Sequence, residues 1–253
     1  MPSLAELERA VDVAFADTAR DLAPWPDPHP DRMPLDEEYS RVTDGAKYLI
    51  IGARLDAWLT ALDQHELIDV DVVEQPTWLD PNPYLAALSV ERIVPRRAGA
   101  LALIVCRTEL GDVPGAGITL GVGDPIDEIE RFPDCGCDAC DSGSQNELDE
   151  LDRHVRGVVA GNFRRLRRAE SSITTIDADG WSARNVPPPR RTRMAKPSGK
   201  WSPYPGGAAG WSNTEARPGG RPPKGGPRRG PRTVEQVLAN PIGWDELRGE
   251  PWI

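Results

Sequence analysis

Residues 100–123 read ALALIVCRTELGDVPGAGITLGVG. Two runs rich in Val, Ile and Leu, ALALIVCRTEL and GITLGVG, flank the turn-forming GDVPGAG, and apolar runs this short with Gly and Pro between them fit strands better than helices. The stretches LIDVDVVE from Leu67 and LSVERIV from Leu88 have the same character. The connections RRAG after Pro95 and GDVPGAG after Leu110 are short enough for hairpins. The sequence therefore predicts an antiparallel meander between Leu67 and Val122 with helices packed on one face, an α+β fold.

Working outward from this sheet, the upstream helices are also legible. Ser3-Leu4-Ala5-Glu6 is a capping box, followed by Leu4, Leu7, Val11, Phe15, Thr18 and Leu22 at helical spacing. That helix should end before Pro24, because the loop APWPDPHPDRMP from Ala23 to Pro34 holds too many prolines for helix or central strand. A second helix is predicted from about Asp36 to Leu62, with Tyr48, Ile51, Leu55, Trp58, Leu59 and Leu62 on its apolar face. Downstream of the sheet, a helix is expected from about Gln145 to Arg168, burying Leu148, Leu151, Val155, Val158, Val159, Phe163 and Leu166.

The charge is split along the chain. Residues 1–152 carry 32 acids against 11 bases, whereas 153–253 carry 8 acids against 19 bases. Residues 181–232 contain 11 Pro, 9 Gly and 12 Lys or Arg against the single acid Glu215, with no Leu, Ile or Phe. Such a stretch buries too little apolar surface to offset its ordering entropy, so the expectation is a folded unit over 1–180, a disordered basic Pro/Gly-rich tail over 181–232, and a short docking helix in 233–253 opened by the capping box Thr233 to Gln236. The N-terminus lacks a basic region ahead of an apolar core and no apolar run spans a bilayer, so the expected location is the cytoplasm, with no membrane partner.

The chemistry concentrates in FPDCGCDACDSG, residues 132–143, which holds Cys135, Cys137 and Cys140 within six residues. In a reducing compartment, clustered thiols suggest metal binding or redox chemistry before a structural disulfide. Thiolates suit zinc, and tetrahedral zinc needs four donors. Cys106, near the end of a predicted strand, and His154, on the following helix, are candidates for the fourth. Asp138 and Asp141 are further candidates as ligands or as outer groups around the site, and water in that position would leave the ion open to substrate. Thiol redox between neighbouring cysteines and a turn of inert thiols remain open readings. Neighbouring carboxylates raise thiol pKa values and so weigh against a reactive thiolate, whereas a dication offsets their repulsion.

The run FPDCGCDACD, followed by a helix containing VVAGNF from Val158 to Phe163, resembles the signature of an actinobacterial family of unknown function, FPxCGCDACD. The resemblance implies that Cys135, Cys137, Asp138, Cys140 and Asp141 matter in that family, and it brings no activity or cofactor with it. Other motifs carry less. Gly115, Gly117 and Gly121 have the spacing G-x-G-x3-G and lead into a predicted strand, which excludes a dinucleotide loop. His29 and His65 have no serine or acid placed to suggest a triad. The sequence thus favours a non-enzymatic or regulatory binding protein with a cysteine-bound structural zinc, with a metal-dependent or thiol-redox enzyme as the alternative.

The basic stretch has three readings. Its cations, among them Arg228 and Arg229, can neutralise phosphates while Trp201, Tyr204 and Trp211 stack on unpaired bases of a nucleic acid. It can instead bind the chain's own acidic domain at low salt, or serve as a solvated linker.

Overall fold

The computed structural model describes residues 1–80, 86–177, 180–186 and 233–253. Helix α1 (Leu4–Thr18) begins with both halves of the expected capping box in place: the Glu6 N–H donates to Ser3 Oγ and the Ser3 N–H to Glu6 Oε2. Its buried face is Leu7, Val11 and Ala14, and Thr18 donates its hydroxyl to the Ala53 carbonyl of the next helix at 2.8 Å.

Helix α2 (Leu49–Gln64) is apolar almost all round, and a helix of that kind belongs inside the molecule. It packs against α1 and the sheet, and Trp58 and Leu55 on it are fully buried. The expected single helix from Asp36 is corrected: short 3₁₀ turns at Asp36–Glu38 and Gly45–Tyr48 precede α2, with Ser40 at a positive φ of 61° between them. The Asp44 side chain accepts from the Ala46 N–H, a local turn that competes with helix.

The predicted meander is present. Strands β1 (Ile68–Val72), β2 (Ala87–Pro95), β3 (Leu103–Leu110), β4 (Val113–Val122) and β5 (Asp127–Phe132) form one antiparallel sheet in sequence order. The β3–β4 connection is tighter than expected, with only Gly111 and Asp112 between the paired Leu110 and Val113. Leu103, Val105, Ile118, Leu120 and Val122 face the helices in the main core. Ile104 and Cys106 face the opposite side, where Val90, Ile126, Val73 and Trp78 cover them. Strand β3 is therefore buried on both faces over its first half.

Helix α3 (Ser144–Val159) packs on α2, where Asp152 accepts from Arg54 and from Trp58 Nε1. It ends nine residues earlier than the sequence predicts. Gly161 adopts φ 71°, and a Cβ there would lie 2.6 Å from the Pro251 nitrogen, so the helix stops and the chain turns against the C-terminal segment. Phe163 and Leu166 are buried as expected, but they precede or lie on a strand.

A second sheet follows that the sequence reading missed. Strands β6 (Arg164–Arg168), β7 (Ser171–Thr175), β8 (Ser182–Arg184) and β9 (Asp245–Arg248) pair antiparallel in the order β8-β7-β6-β9. The expected C-terminal helix is α4 (Val234–Ala239), whose Val237 packs on Leu166 and Ile173. Beyond β9, Trp252 enters the main core with 1% of its surface exposed and donates its Nε1–H to the Leu101 carbonyl at 3.1 Å. Strand β8 lies within the stretch expected to be disordered, so the ordered unit runs past residue 180. The rest of that expectation, and with it Trp201, Tyr204, Trp211, Arg228 and Arg229, lies outside the described residues. The strands that precede and follow the basic stretch in sequence, β8 and β9, belong to one sheet. No described helix is long and apolar enough to cross a membrane.

Candidate metal centre

Strand β5 delivers the chain to the cysteine turn, and α3 starts directly after it. Gly136, between the first two cysteines, has φ 70°, and a Cβ there would lie 2.6 Å from Leu110 Cδ1. Both the turn and its seat on the β3–β4 hairpin therefore need glycine. Cys137 precedes a short 3₁₀ turn, Asp138–Cys140, in which the Cys140 N–H donates to the Cys137 carbonyl at 3.0 Å.

That fold-back gathers the three sulfurs within 4.8 Å of one another. Cys137 is buried, whereas Cys135 and Cys140 reach the surface, and the Cys135 thiol donates to Cys137 Sγ at 3.2 Å. Burial alone would raise the Cys137 thiol, but the thiols of Cys135 and Cys140 and the N–H groups of Ser40 and Cys140 point at its sulfur and bring it down to about 7. Cys140 moves the other way, to about 12, because its hydrogen bonding with the Cys135 and Cys137 sulfurs favours the protonated thiol, and burial and the charge of those two sulfurs add to the effect. Three sulfurs at 2.3 Å from one tetrahedral ion stand about 3.8 Å apart, so the observed cluster is already near the size a zinc ion requires. The donor set fits the metal.

Two of the turn's three aspartates, Asp138 and Asp141, hold it in place. Asp138 accepts from the Thr43 N–H at 2.9 Å, from Arg41 Nε at 2.8 Å and from the Thr43 hydroxyl, and its own N–H donates to the Arg41 carbonyl. Burial would raise the Asp138 carboxyl, yet these donors lower it to about 2. Asp141 is 5% exposed and accepts from Trp25 Nε1, from the Gly143 N–H and from the Lys47 ammonium. Lys47 also lies 5.4 Å from the Trp25 ring centre and 5.0 Å from that of Tyr48. The turn is thus fastened to the Pro-rich loop on one side and to the approach to α2 on the other.

Of the sequence candidates for a fourth donor, neither Cys106 nor His154 belongs to the sulfur group. Cys106 is fully buried in the apolar cluster with Val90, Ile104 and Ile126, and burial pushes its thiol up to about 11. His154 is buried edge-on against Phe132, with Nδ1 at 2.8 Å from the Glu150 carbonyl and Nε2 3.7 Å from the Glu130 carboxylate. Among the described residues, Cys135, Cys137 and Cys140 are the one group of such side chains close enough together that they could hold an ion.

Trp25, His29, Arg41, Thr43 and Lys47 were missed as parts of this region. One signal was available for the first two: a long loop rich in Pro inside a compact domain, carrying a Trp and a His, is usually functional. The clefts near the turn are small and charged. A cleft of about 290 Å³ is lined by Glu130, Arg131, Asp134 and Glu147, and one of about 160 Å³ reaches Cys135. A cleft of about 590 Å³ lies between the two sheets, where Arg165 and Arg167 are paired with Asp127.

No curated protein and no solved structure matches the chain. Residues 11–215, which include the Pro-rich loop, the meander and the whole cysteine turn, match one family, and the chain belongs to it: the family of unknown function DUF6226.

Proposed function

We propose that Cys135, Cys137 and Cys140 bind one zinc ion and that the ion is structural, clipping the turn in a non-enzymatic or regulatory binding protein of a reducing compartment such as the cytoplasm. The observation that carries this reading is the convergence of the three sulfurs, with backbone N–H groups directed at Cys137. Of the carboxylates that flank them, Asp138 and Asp141 are engaged by Arg41, Thr43, Trp25 and Lys47, which favours sulfur as the donor chemistry of the turn. The test is elemental analysis of protein purified without chelator, together with a count of reactive thiols. About one zinc per chain is expected. Metal-free protein with its exposed thiols fully reactive would sink the proposal.

A second reading rests on the 3.2 Å approach of Cys135 and Cys137 and on the lowered pKa of Cys137. The Cys137 thiolate would attack a small-molecule disulfide and release one thiol. Cys135 would then lose its proton and displace the second, so that the pair gives up two electrons and the disulfide is reduced. Loss of two reactive thiols on treatment with oxidised glutathione, in protein that carries no metal, would favour this thiol-redox reading.

For residues 187–232, composition supports an acidic partner: single-stranded nucleic acid, or the acidic part of the same chain.

A further inference from the structure

A site of three sulfurs leaves one corner of a tetrahedron to fill, and the Pro-rich loop brings a nitrogen to the turn. His29 lies with Nε2 at 2.9 Å from the carbonyl oxygen of Asp138, the residue that follows Cys137. A carbonyl only accepts, so Nε2 carries the proton, and in the neutral ring Nδ1 is the nitrogen with the free lone pair. Nδ1 is buried and has no hydrogen-bond partner. Folded proteins rarely leave a buried acceptor unused, and such an atom calls for an explanation.

Its surroundings supply one. The loop carrying His29 is hydrogen-bonded along the cysteine turn: the Ser144 N–H donates to the Trp25 carbonyl, the Trp25 N–H to Ser144 Oγ, and Trp25 Nε1 to Asp141. The His29 N–H is itself fixed on Asp27 Oδ1 at 2.6 Å. A histidine that ligates metal through one nitrogen commonly donates its other N–H to a backbone carbonyl or carboxylate, which sets the tautomer and aims the lone pair. His29 already has that arrangement, with Asp138 O as the acceptor. Cys106, sealed in an apolar cluster, and His154, whose Nδ1 lies at the Glu150 carbonyl and whose Nε2 faces the Glu130 carboxylate, both stand outside the sulfur group.

We propose that Nδ1 of His29 is the fourth ligand of a Cys3His zinc site, an assignment that rests on the metal reading of the three cysteines. The sulfurs alone form the group within 4.8 Å, so metal binding draws the imidazole and the turn together. The ion then joins segments 109 residues apart at Asp138 and fastens the Pro-rich loop to the sheet.

The test uses the full chain, stripped of metal, with cobalt(II) as the spectroscopic probe and zinc titrated against a chromophoric chelator. The wild-type chain should give a tetrahedral cobalt spectrum with thiolate charge-transfer bands. His29→Ala should weaken zinc binding about tenfold or more and change the cobalt d–d envelope. His29→Cys should recover the affinity with the spectrum of four thiolates, which guards against a mere folding defect. On zinc addition the ¹⁵N signal of His29 Nδ1 should shift while that of Nε2 keeps the character of a protonated nitrogen. If His29→Ala binds zinc as tightly as wild type with an unchanged cobalt spectrum, the histidine assignment is overturned and the three-cysteine reading stands. If the wild-type chain binds no metal at all, both fall.

Discussion

The ammonium of Lys47 and the carboxylate of Asp141 meet at the base of the cysteine turn, 94 residues apart in sequence, with 18% and 2% of their side chains exposed. The pair ties the turn before α2 to the end of the cysteine turn. Breaking one half leaves a largely buried charge alone, a loss of about 3 kcal/mol. Asp141→Asn should lower the midpoint of urea unfolding accordingly, and Lys47→Met combined with it should cost less than the sum of the two single changes. Strict additivity would show that the two groups act independently.

Cys137→Ser should abolish zinc binding and leave most of the far-ultraviolet circular dichroism intact. The main core is built from α1, α2, α3 and the meander and does not include Cys137. Complete unfolding of this variant would place the stability of the domain in the turn instead.

Glu147, in the first turn of α3, gives a pH signature. Burial, with Asp141, Asp134, Glu150 and Glu130 close by, pushes its carboxyl up to about 7, and Arg131 shares its cleft. The folded pKa lies above the ordinary 4.5, so the folded chain holds the extra proton. Its contribution to stability is fully present below about 4.5 and is lost as pH rises through about 7. Glu147→Gln should match wild type near pH 4 and exceed it at pH 8 by about 1–3 kcal/mol. His154, whose buried ring is held below its ordinary pKa, acts in the opposite sense as pH falls and is common to both chains. Parallel stability curves for the two proteins would contradict this assignment.

The meander was legible because runs such as LALIVC alternate faces that are both buried and are bounded by Gly and Pro. The second sheet was not, because RRLRR and SSITT look polar. Arg165 becomes an interior residue only through Asp127, 38 positions away, and no local pattern announces such a pair. The helix stop at Gly161 could have been read, since Gly-Asn after an apolar stripe is a standard terminator, but Phe163 and Leu166 continued the helical spacing and masked it. At the site the sulfurs were evident from spacing alone. Apart from the Gly143 N–H on Asp141, the hydrogen bonds that the Asp138 and Asp141 side chains receive come from residues 94 to 116 positions distant, which sequence cannot pair.

The basic connection supplies a fourth expectation. Binding of the full chain to single-stranded nucleic acid should weaken steeply with salt and tolerate changes of base sequence. Replacing Trp201, Tyr204 and Trp211 together by alanine should cost affinity at every salt concentration, whereas neutralising Arg228 and Arg229 should mainly flatten the salt dependence. Fluorescence anisotropy with a labelled oligonucleotide measures both, and no binding even at low salt would remove nucleic acid as the partner.

Strands β8 and β9 are the two outer edges of one four-stranded sheet, so the chain departs from one border and returns to the other, three inter-strand spacings or about 14 Å away. A single cut anywhere within 187–232 would therefore sever the polypeptide without separating its parts. The piece beginning at Thr233 would stay docked through the β6–β9 ladder, the seat of Trp252 between Val159 and Leu101, and the Arg97 guanidinium on the carbonyl of Ile253. The nicked molecule would be a two-chain complex, whose melting temperature would depend on dilution through the dissociation of its pieces.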